Sequence, residues 1–155
     1  GSEMCIRDRL IFGLPGTGKT TLAKPFAELI NGVHLNADDI RKRYDDWDFT
    51  SSGRIRQAQR MRHLADGVEL AGKIAVADFI CPTHVTRDVY DADFTIWMDT
   101  TKGSLYKDTL KMFEPPKKTD VDYHVAQWFD DTHAQLAEVV KNWTKKRNRR
   151  NHENK

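Results

Sequence analysis

The chain has 155 residues with a formal net charge of +2, and 39% of them are hydrophobic and 31% charged, which predicts one globular domain rather than a disordered or fibrous chain. No apolar run approaches the roughly 18 residues of a membrane span and no signal peptide is visible, so we expect a cytoplasmic protein without membrane contact. Cys5 and Cys81 lie far apart and away from any histidine cluster, which argues against a disulfide framework or a zinc site.

The two ends of the chain are set apart from a domain predicted over residues 10–143. Residues 1–9 begin with a tag-like Gly-Ser, and "EMCIRDR" resembles an artefact peptide of environmental sequences, so they are excluded from the functional argument. Residues 144–155 form a basic tail. The tail is interpreted as a solvated helix end, or alternatively as a weak nucleic-acid contact.

The first half of the domain alternates apolar runs with helical patterns. "LIF" at residues 10–12 indicates the end of a buried strand, and residues 20–30 have one apolar helical face. A second strand is predicted over 32–38 and a short helix from Asp38 onward. Residues 51–73 predict a long helix that begins at a serine N-cap and closes at Gly72.

The second half continues the alternation. Strands are predicted over 74–80, 94–100 and, at the sheet edge, 121–125, with a lysine-rich loop and a helical piece over 101–120. A final helix over 126–143 carries an apolar stripe expected to face the core: Trp128, Phe129, Leu136, Val139, Val140 and Trp143.

Strands separated by helices predict an α/β fold with a parallel sheet of about five strands and helices on both faces. In such sheets ligands bind beyond the carboxyl ends of the strands, and the candidate motifs fall at those ends.

The strongest motif is a P-loop, Gly13-x-x-x-x-Gly18-Lys19-Thr20, which follows an apolar strand and opens a helix. Its backbone N–H groups and the helix N-terminus cradle phosphates, Lys19 neutralises the β- and γ-phosphates, and the Thr20 hydroxyl faces Mg²⁺. The chain lacks the Asn-Lys-x-Asp motif of a GTPase, so we interpret it as a small P-loop NTPase-fold kinase. The predicted ATP-binding residues are Gly13, Pro15, Gly16, Thr17, Gly18, Lys19, Thr20 and Thr21.

The acceptor side can be interpreted from residue types alone. An acceptor hydroxyl needs a carboxylate within hydrogen-bond reach, which Asp38 or Asp39 can supply. Arg41 and Arg54 are planar forks suited to an anion. The lid lysines Lys102, Lys107 and Lys111 would supply surplus positive charge, whereas Arg56, Arg60 and Arg62 are expected to solvate a helix face.

Four further segments, "NADDIRKRY", "DFTSSGRIRQAQR", "ADFICPTHVTRD" and "KGSLYKDTLKMF", resemble adenylylsulfate kinase over about residues 10–115. That family transfers the ATP γ-phosphate to the 3′-hydroxyl of adenosine 5′-phosphosulfate, a small anionic nucleotide. The resemblance implies Lys19, Asp38 and Lys111 as catalytic residues, with Asp38 at the 3′-hydroxyl. It also implies that Phe49 and Phe113 sandwich the acceptor adenine and that Arg87 is a lid-side cation. The implied acceptor-binding set is Asp38, Arg41, Phe49, Arg54, Gln57, Ile80, Cys81, Lys107 and Phe113.

The chain departs from the family at two strand ends. Asn36-Ala37-Asp38 replaces the usual Asp-Gly-Asp, and Cys81 stands where the family commonly has serine. Because "IAVAD" ends like a Walker B strand, Asp78 is predicted to hold Mg²⁺ together with Thr20. Three alternatives stay open: a kinase of another nucleoside, nucleotide or polynucleotide end, a nucleic-acid-binding ATPase that uses the tail, and a homodimeric assembly.

Overall fold

The computed structural model describes residues 7–101 and 107–141. Its centre is a five-stranded, all-parallel sheet with the order β2-β3-β1-β4-β5, which confirms the predicted fold class. The strands are β1 (Asp8–Phe12), β2 (Val33–Asn36), β3 (Ala75–Phe79), β4 (Phe94–Met98) and β5 (Tyr123–Val125).

Helices cover both faces of this sheet. Among the described residues, none of the helices is both long and apolar enough to cross a membrane. They are α1 (Lys19–Leu29), α2 (Ala37–Tyr44), α3 (Ser51–Leu70), α4 (His84–Tyr90), α5 (Lys107–Met112), a short 3-10 turn (Lys118–Asp120) and α6, helical over residues 132–141.

The core lies in two layers because successive strand side chains point to opposite faces of the sheet. Ile11 of β1 faces a cluster with Phe26 of α1 and Leu136 of α6. Its neighbours Leu10 and Phe12 face the other cluster, formed with α2, α3 and α4. Burial of these apolar side chains supplies the main favourable term of folding, and it fixes both helix layers on the sheet.

The strand order brings three chain segments together at the carboxyl-terminal end of the sheet. Asn36 at the end of β2 pairs in register with Asp78 of β3, and β3 lies directly beside β1, which leads into the P-loop. The carboxyl ends of these strands therefore open on the same side, as expected for a ligand site in a parallel sheet.

The first strand begins at Asp8, two residues before the predicted start of the domain. The Asp8 carboxylate is buried, accepts a hydrogen bond from the Asp93 N–H (2.6 Å) and pairs with Arg62. Arg62 also contacts Asp66 and Glu69, so the expectation that it merely solvates a helix face is wrong. The buried charges of Asp8 and Arg62 are tolerated because they neutralise each other.

Two helix starts differ from the predictions. Thr50, rather than a serine, is the N-cap of α3, and its hydroxyl accepts a hydrogen bond from the Gly53 N–H (3.2 Å). The last helix begins at residue 132, so Trp128 and Phe129 lie in the preceding turn, where they are 43% and 55% exposed. Those two residues are therefore not core, whereas Leu136 and Val140 are, as predicted. Trp143 and the basic tail lie outside the described residues.

Candidate active site

The P-loop closes tightly over the end of β4. Gly13 and Gly18 both have positive φ angles, 155° and 93°, which side chains rarely tolerate. A Cβ atom at Gly13 would collide with the Met98 carbonyl oxygen. Thr17 fastens the turn, because its hydroxyl donates to the Leu14 carbonyl (2.9 Å) while its own carbonyl accepts from the Thr100 hydroxyl (2.7 Å). The loop is thus held in shape by contacts within the protein.

Lys19 points back into this loop. Its Nζ donates to the Leu14 carbonyl oxygen at 2.9 Å. Burial lowers the pKa of Lys19, and the nearby carboxylates Asp78 and Asp38 oppose that shift. An ammonium in this position, at the N-terminus of α1, creates a positive site for phosphate oxygens.

Asp78 is the centre of a polar cluster at the ends of β2 and β3. Its Oδ2 accepts hydrogen bonds from the Thr20 hydroxyl (3.0 Å) and the Asn36 amide (3.0 Å), and His34 Nε2 lies 2.8 Å away. A carboxylate beside a hydroxyl is the kind of hard oxygen pair that suits Mg²⁺. Asn36 presents its amide nitrogen to this pair and its carbonyl to the Asp39 N–H, so it cannot replace a carboxylate as a ligand here.

His34 was not among the predicted site residues. It lies two positions before Asn36 on β2, so both side chains lie on one face of the strand, a period-two signal that the sequence contains. The hydrogen bond to the ionised Asp78 requires the proton on His34 Nε2. His34 therefore holds the carboxylate from the side opposite the P-loop helix.

A continuous cleft of about 1380 Å³ joins the P-loop to the predicted acceptor residues. A pocket for one ligand commonly measures roughly 300–1,000 Å³, so this cleft has room for two substrates. The predicted residues that line it are, on the ATP side, Pro15, Gly16, Gly18, Lys19, Thr20 and Thr21, and, on the acceptor side, Asp38, Arg41, Phe49, Arg54, Gln57, Asp78, Ile80, Cys81 and Lys107.

Two buried guanidinium groups form the positive wall of the cleft. Arg41 donates to the carbonyls of Asp46 and Asp48 (2.9 and 3.2 Å), and Arg54 donates to the Phe49 carbonyl (3.1 Å). Burial lowers the pKa of both, and for Arg54 the charge of Arg41 adds to the effect. Within the described part of the chain neither has a carboxylate at ion-pair distance, so the wall is suited to an anion.

Asp38 and Gln57 line the same cleft, and the charge of Asp38 acts on both Lys19 and Arg41. Asp38 is in the first turn of α2 and is exposed to the cleft, so its carboxylate is free to meet an acceptor. Gln57 is buried and donates from Nε2 to the Ala37 carbonyl (3.1 Å), which ties α3 to the start of α2. Gln57 thus fixes the position of the helix that carries Asp38.

Cys81 lines the cleft in a left-handed backbone conformation with φ of 44°. Burial raises the pKa of its thiol to about 12. A thiol of this kind stays protonated at neutral pH and is a poor nucleophile. Cys81 therefore shapes the wall beside Ile80 without reactive chemistry of its own.

Gly13 and Thr17 of the P-loop do not line the cleft, and on the acceptor and lid side three predicted residues, Phe113, Arg87 and Lys111, do not reach it. Phe113 packs on the core cluster and lies 5.3 Å below the Arg87 guanidinium. Arg87 also stacks on Phe12 (4.5 Å) and donates to the carbonyls of Cys81 and Glu114, so its assignment as a lid-side cation is wrong. Lys111 is exposed and lies outside the cleft lining, while Lys102 lies outside the described residues.

Trp47 and Thr109 line the cleft without having been predicted. The Thr109 hydroxyl accepts from Arg54 Nη2 (2.9 Å) and so connects α5 to the acceptor wall.

Arg56 and Arg60 both pair with Asp46 (2.8 and 2.9 Å), so they fasten a loop rather than solvate a helix face. The sequence signal for the shared pairing with Asp46 was the four-residue spacing of Arg56 and Arg60, which places both side chains on one face of α3.

Solved structures share this fold at low sequence identity. The crystal structure of APE1195 superposes with a TM-score of 0.74 and 22% identity over 90% of this chain and 99% of its own. The Mycobacterium tuberculosis APS kinase CysC, in complex with AMPPNP and APS, gives 0.71 and 16% over 88% and 98%. A sugar kinase from Janibacter sp. HTCC2649 gives 0.65 and 18% over 89% and 94%.

Among curated proteins, the uncharacterized protein Rv2004c of Mycobacterium tuberculosis is 46% identical over 41 residues. That stretch covers 26% of this chain and only 8% of the relative's length. A family model described as adenylylsulphate kinase matches residues 9–107, well over half of the chain, and includes the P-loop, Asp38, the arginine wall and Asp78. The chain therefore belongs to the adenylylsulphate kinase family.

Proposed function

We propose that this kinase phosphorylates the 3′-hydroxyl of adenosine 5′-phosphosulfate with ATP and releases 3′-phosphoadenylyl sulfate and ADP. The observation that carries the proposal is one cleft lined by the P-loop, by Arg41 and Arg54 and by Asp38, whose charge acts on both Lys19 and Arg41. An acceptor that carries two anionic groups and a flat base matches two guanidiniums over Phe49 that have no carboxylate partner among the described residues.

In the proposed mechanism the P-loop binds the triphosphate and Lys19 stabilises the charge that develops on the transferred phosphoryl group. Lys19 must then exchange the Leu14 carbonyl for phosphate oxygens. Arg41 and Arg54 hold the acceptor anion so that its hydroxyl faces Asp38. Asp38 orients that hydroxyl and accepts its proton as the new bond forms.

Thr20 and Asp78 are the residues that would hold Mg²⁺, and His34 and Asn36 would keep the Asp78 carboxylate oriented toward Thr20. When bound, the ion neutralises charge on the β- and γ-phosphates. Partners that orient a ligand carboxylate typically contribute about 10- to 100-fold to metal affinity.

The runner-up is a kinase of another small acceptor. It is favoured by the structural similarity to a sugar kinase, whose TM-score is not far below that of the APS kinase. A nucleic-acid-binding ATPase that uses residues 144–155 remains a further prediction, as do the cytoplasmic location and a homodimer.

An acceptor panel tests the proposal. ADP release with ATP and Mg²⁺ is measured for adenosine 5′-phosphosulfate, gluconate, shikimate, adenosine and a 5′-hydroxyl oligonucleotide. We expect turnover with adenosine 5′-phosphosulfate alone, and Asp38→Asn should lower kcat far more than it changes the acceptor KM, because it acts on the reacting group. Turnover with a different acceptor, and none with adenosine 5′-phosphosulfate, would refute the substrate assignment.

A further inference from the structure

Two large aromatic side chains stand exposed inside the cleft. Trp47 and Phe49 are 50% and 46% exposed, and both line the cleft on the acceptor side. Their ring centroids are 6.4 Å apart and the ring planes are tilted by 50°, so the two rings form an open corner rather than a stacked pair. Exposed aromatic surface inside a concave site is the usual lining of a ligand pocket.

We propose that Trp47 and Phe49 form a ready-made aromatic corner that recognises a planar ring on the acceptor, and that the lid residue Phe113 takes no part in this recognition. The inference rests on the proposed function, because it concerns the acceptor half of the same cleft. It replaces the two-sided clamp of Phe49 and Phe113 expected from the sequence with a one-sided corner.

The charges around the corner specify the rest of the ligand. The guanidinium carbons of Arg41 and Arg54 lie 4.5 and 5.3 Å from the centroid of the Phe49 ring. Both cations therefore cover part of the Phe49 ring, and a flat ligand ring would meet the exposed remainder of Phe49 together with Trp47. A ligand that satisfies the corner and the cations together carries an aromatic ring and an anionic group a few bonds apart.

The loop that carries the two rings is fastened to α2 and α3. Asp46 accepts hydrogen bonds from Arg56 (2.8 Å) and Arg60 (2.9 Å), and these bonds hold the pKa of Asp46 well below its usual range. Arg41 binds the backbone of the same loop at two carbonyls. Next to it, Gly53 leaves room for Asp48, which a larger residue would displace. Such preorganisation lowers the entropy lost when a ligand binds.

Phe113, by contrast, is tied away from the cleft. The next residue, Glu114, donates its N–H to the Pro82 carbonyl (2.7 Å) and accepts from Arg87 at its own carbonyl (2.6 Å). The Phe113 ring packs beneath Arg87 and against the core. Movement of this ring into the cleft would break its contacts with Arg87 and the core, so among the described lining residues Trp47 is the second exposed aromatic side chain.

Calorimetric titration of AMP tests the inference, with the P-loop filled by AMPPNP and Mg²⁺. We compare the wild type with Trp47→Ala, with Phe113→Leu, which keeps the core filled, and with the control Trp128→Ala, an exposed tryptophan outside the cleft lining. Trp47→Ala should weaken AMP binding roughly 5- to 150-fold, the range for losing one base–aromatic stack. The other two variants should bind as the wild type does. Ribose 5-phosphate, which has the anion without the ring, should bind the wild type and Trp47→Ala equally.

The outcomes separate the inference from the proposed function. Equal AMP affinity in wild type and Trp47→Ala, or a loss confined to Phe113→Leu, would overturn the aromatic corner. If the panel instead finds a different ring-bearing acceptor and Trp47→Ala raises its KM, the corner stands while the adenylylsulfate assignment fails. A wild type that binds no AMP and phosphorylates only ring-free acceptors such as gluconate would overturn both.

Discussion

At the scale of single residues, the proposed mechanism makes its clearest demand on Lys19. Lys19→Ala removes the ammonium that is held in the P-loop by the Leu14 carbonyl. We expect kcat to fall roughly 100-fold or more, because one preorganised electrostatic group is worth about 3 kcal/mol in the transition state. The exposed Lys24 on the same helix supplies the control, Lys24→Ala. Near-normal turnover in a folded Lys19→Ala protein would remove the basis for the P-loop mechanism.

Asp78 is expected to control the metal requirement. Asp78→Asn keeps the size of the side chain but removes the charge that faces Thr20. The Mg²⁺ concentration for half-maximal rate should rise at least tenfold, since even residues that only orient a metal ligand contribute about 10- to 100-fold to affinity. Direct Mn²⁺ binding, measured with the nucleotide present, should weaken in parallel. The exposed Asp88→Asn is the matched control, and an unchanged Mg²⁺ requirement in Asp78→Asn would exclude the metal role.

The Cys81 thiol should resist modification in the folded protein. Its pKa of about 12 leaves almost no thiolate at about pH 8.5, where an ordinary thiol is half ionised. The neutral thiol therefore contributes stability that is present below about pH 8.5 and is lost as the pH rises toward 12. Iodoacetamide labelling with peptide mapping should find Cys81 alkylated in guanidinium but not in buffer. Rapid native labelling at Cys81 would contradict the burial that the structure assigns to it.

At the scale of elements, α5 is joined to the acceptor wall through one hydrogen bond, Arg54 Nη2 to the Thr109 hydroxyl. Thr109→Val keeps the shape of the side chain and leaves a buried guanidinium donor without its partner. The free energy of unfolding should fall by about 1–3 kcal/mol, and the acceptor KM should rise while the ATP KM stays constant, because Arg54 belongs to the acceptor side. The exposed Thr119→Val in the 3-10 turn is the control. If both variants behave alike, α5 is not coupled to acceptor binding.

Elements with a local signal were predictable from the sequence. The P-loop, the strand before it and the helix after it follow from glycine spacing and apolar periodicity, which depend on neighbours along the chain. The proximity of Thr20 and Asp78 followed from a general rule, since neighbouring parallel strands end at the same sheet edge. Nothing in this reasoning required knowledge of side-chain packing.

The remaining site contacts join residues that are distant in sequence. Arg54 meets Thr109 55 positions away, and Phe113 is held under Arg87 by core packing that no local pattern specifies. Trp47 sits in a polar loop without periodicity, so its place in the cleft depends on how Asp46 is fastened to α3. Asp8 was excluded together with residues 1–9, which resemble a tag and an artefact peptide, yet its pairing with Arg62 makes a charged residue tenable at a buried strand position.

At the scale of the whole molecule, the proposed phosphate site and the proposed acceptor site lie side by side at the carboxyl-terminal end of the sheet. β1 and the P-loop provide the phosphate site, while the ends of β2 and β3 provide Asp38, Asp78 and Cys81. Because a single cleft connects them, the γ-phosphate of ATP and an acceptor hydroxyl can meet without a separate intermediate on the protein. The account therefore requires direct transfer from one substrate to the other.

The measurement that tests this central claim most directly is identification of the phosphorylated product. The 155-residue protein is incubated with ATP, Mg²⁺ and adenosine 5′-phosphosulfate, and the product is analysed by mass spectrometry and phosphorus NMR. We predict one new phosphate, on the 3′-oxygen of the intact phosphosulfate, formed in equal amount to ADP and absent with Lys19→Ala. Release of inorganic phosphate with unmodified adenosine 5′-phosphosulfate, or a phosphate at any other position, would contradict the account.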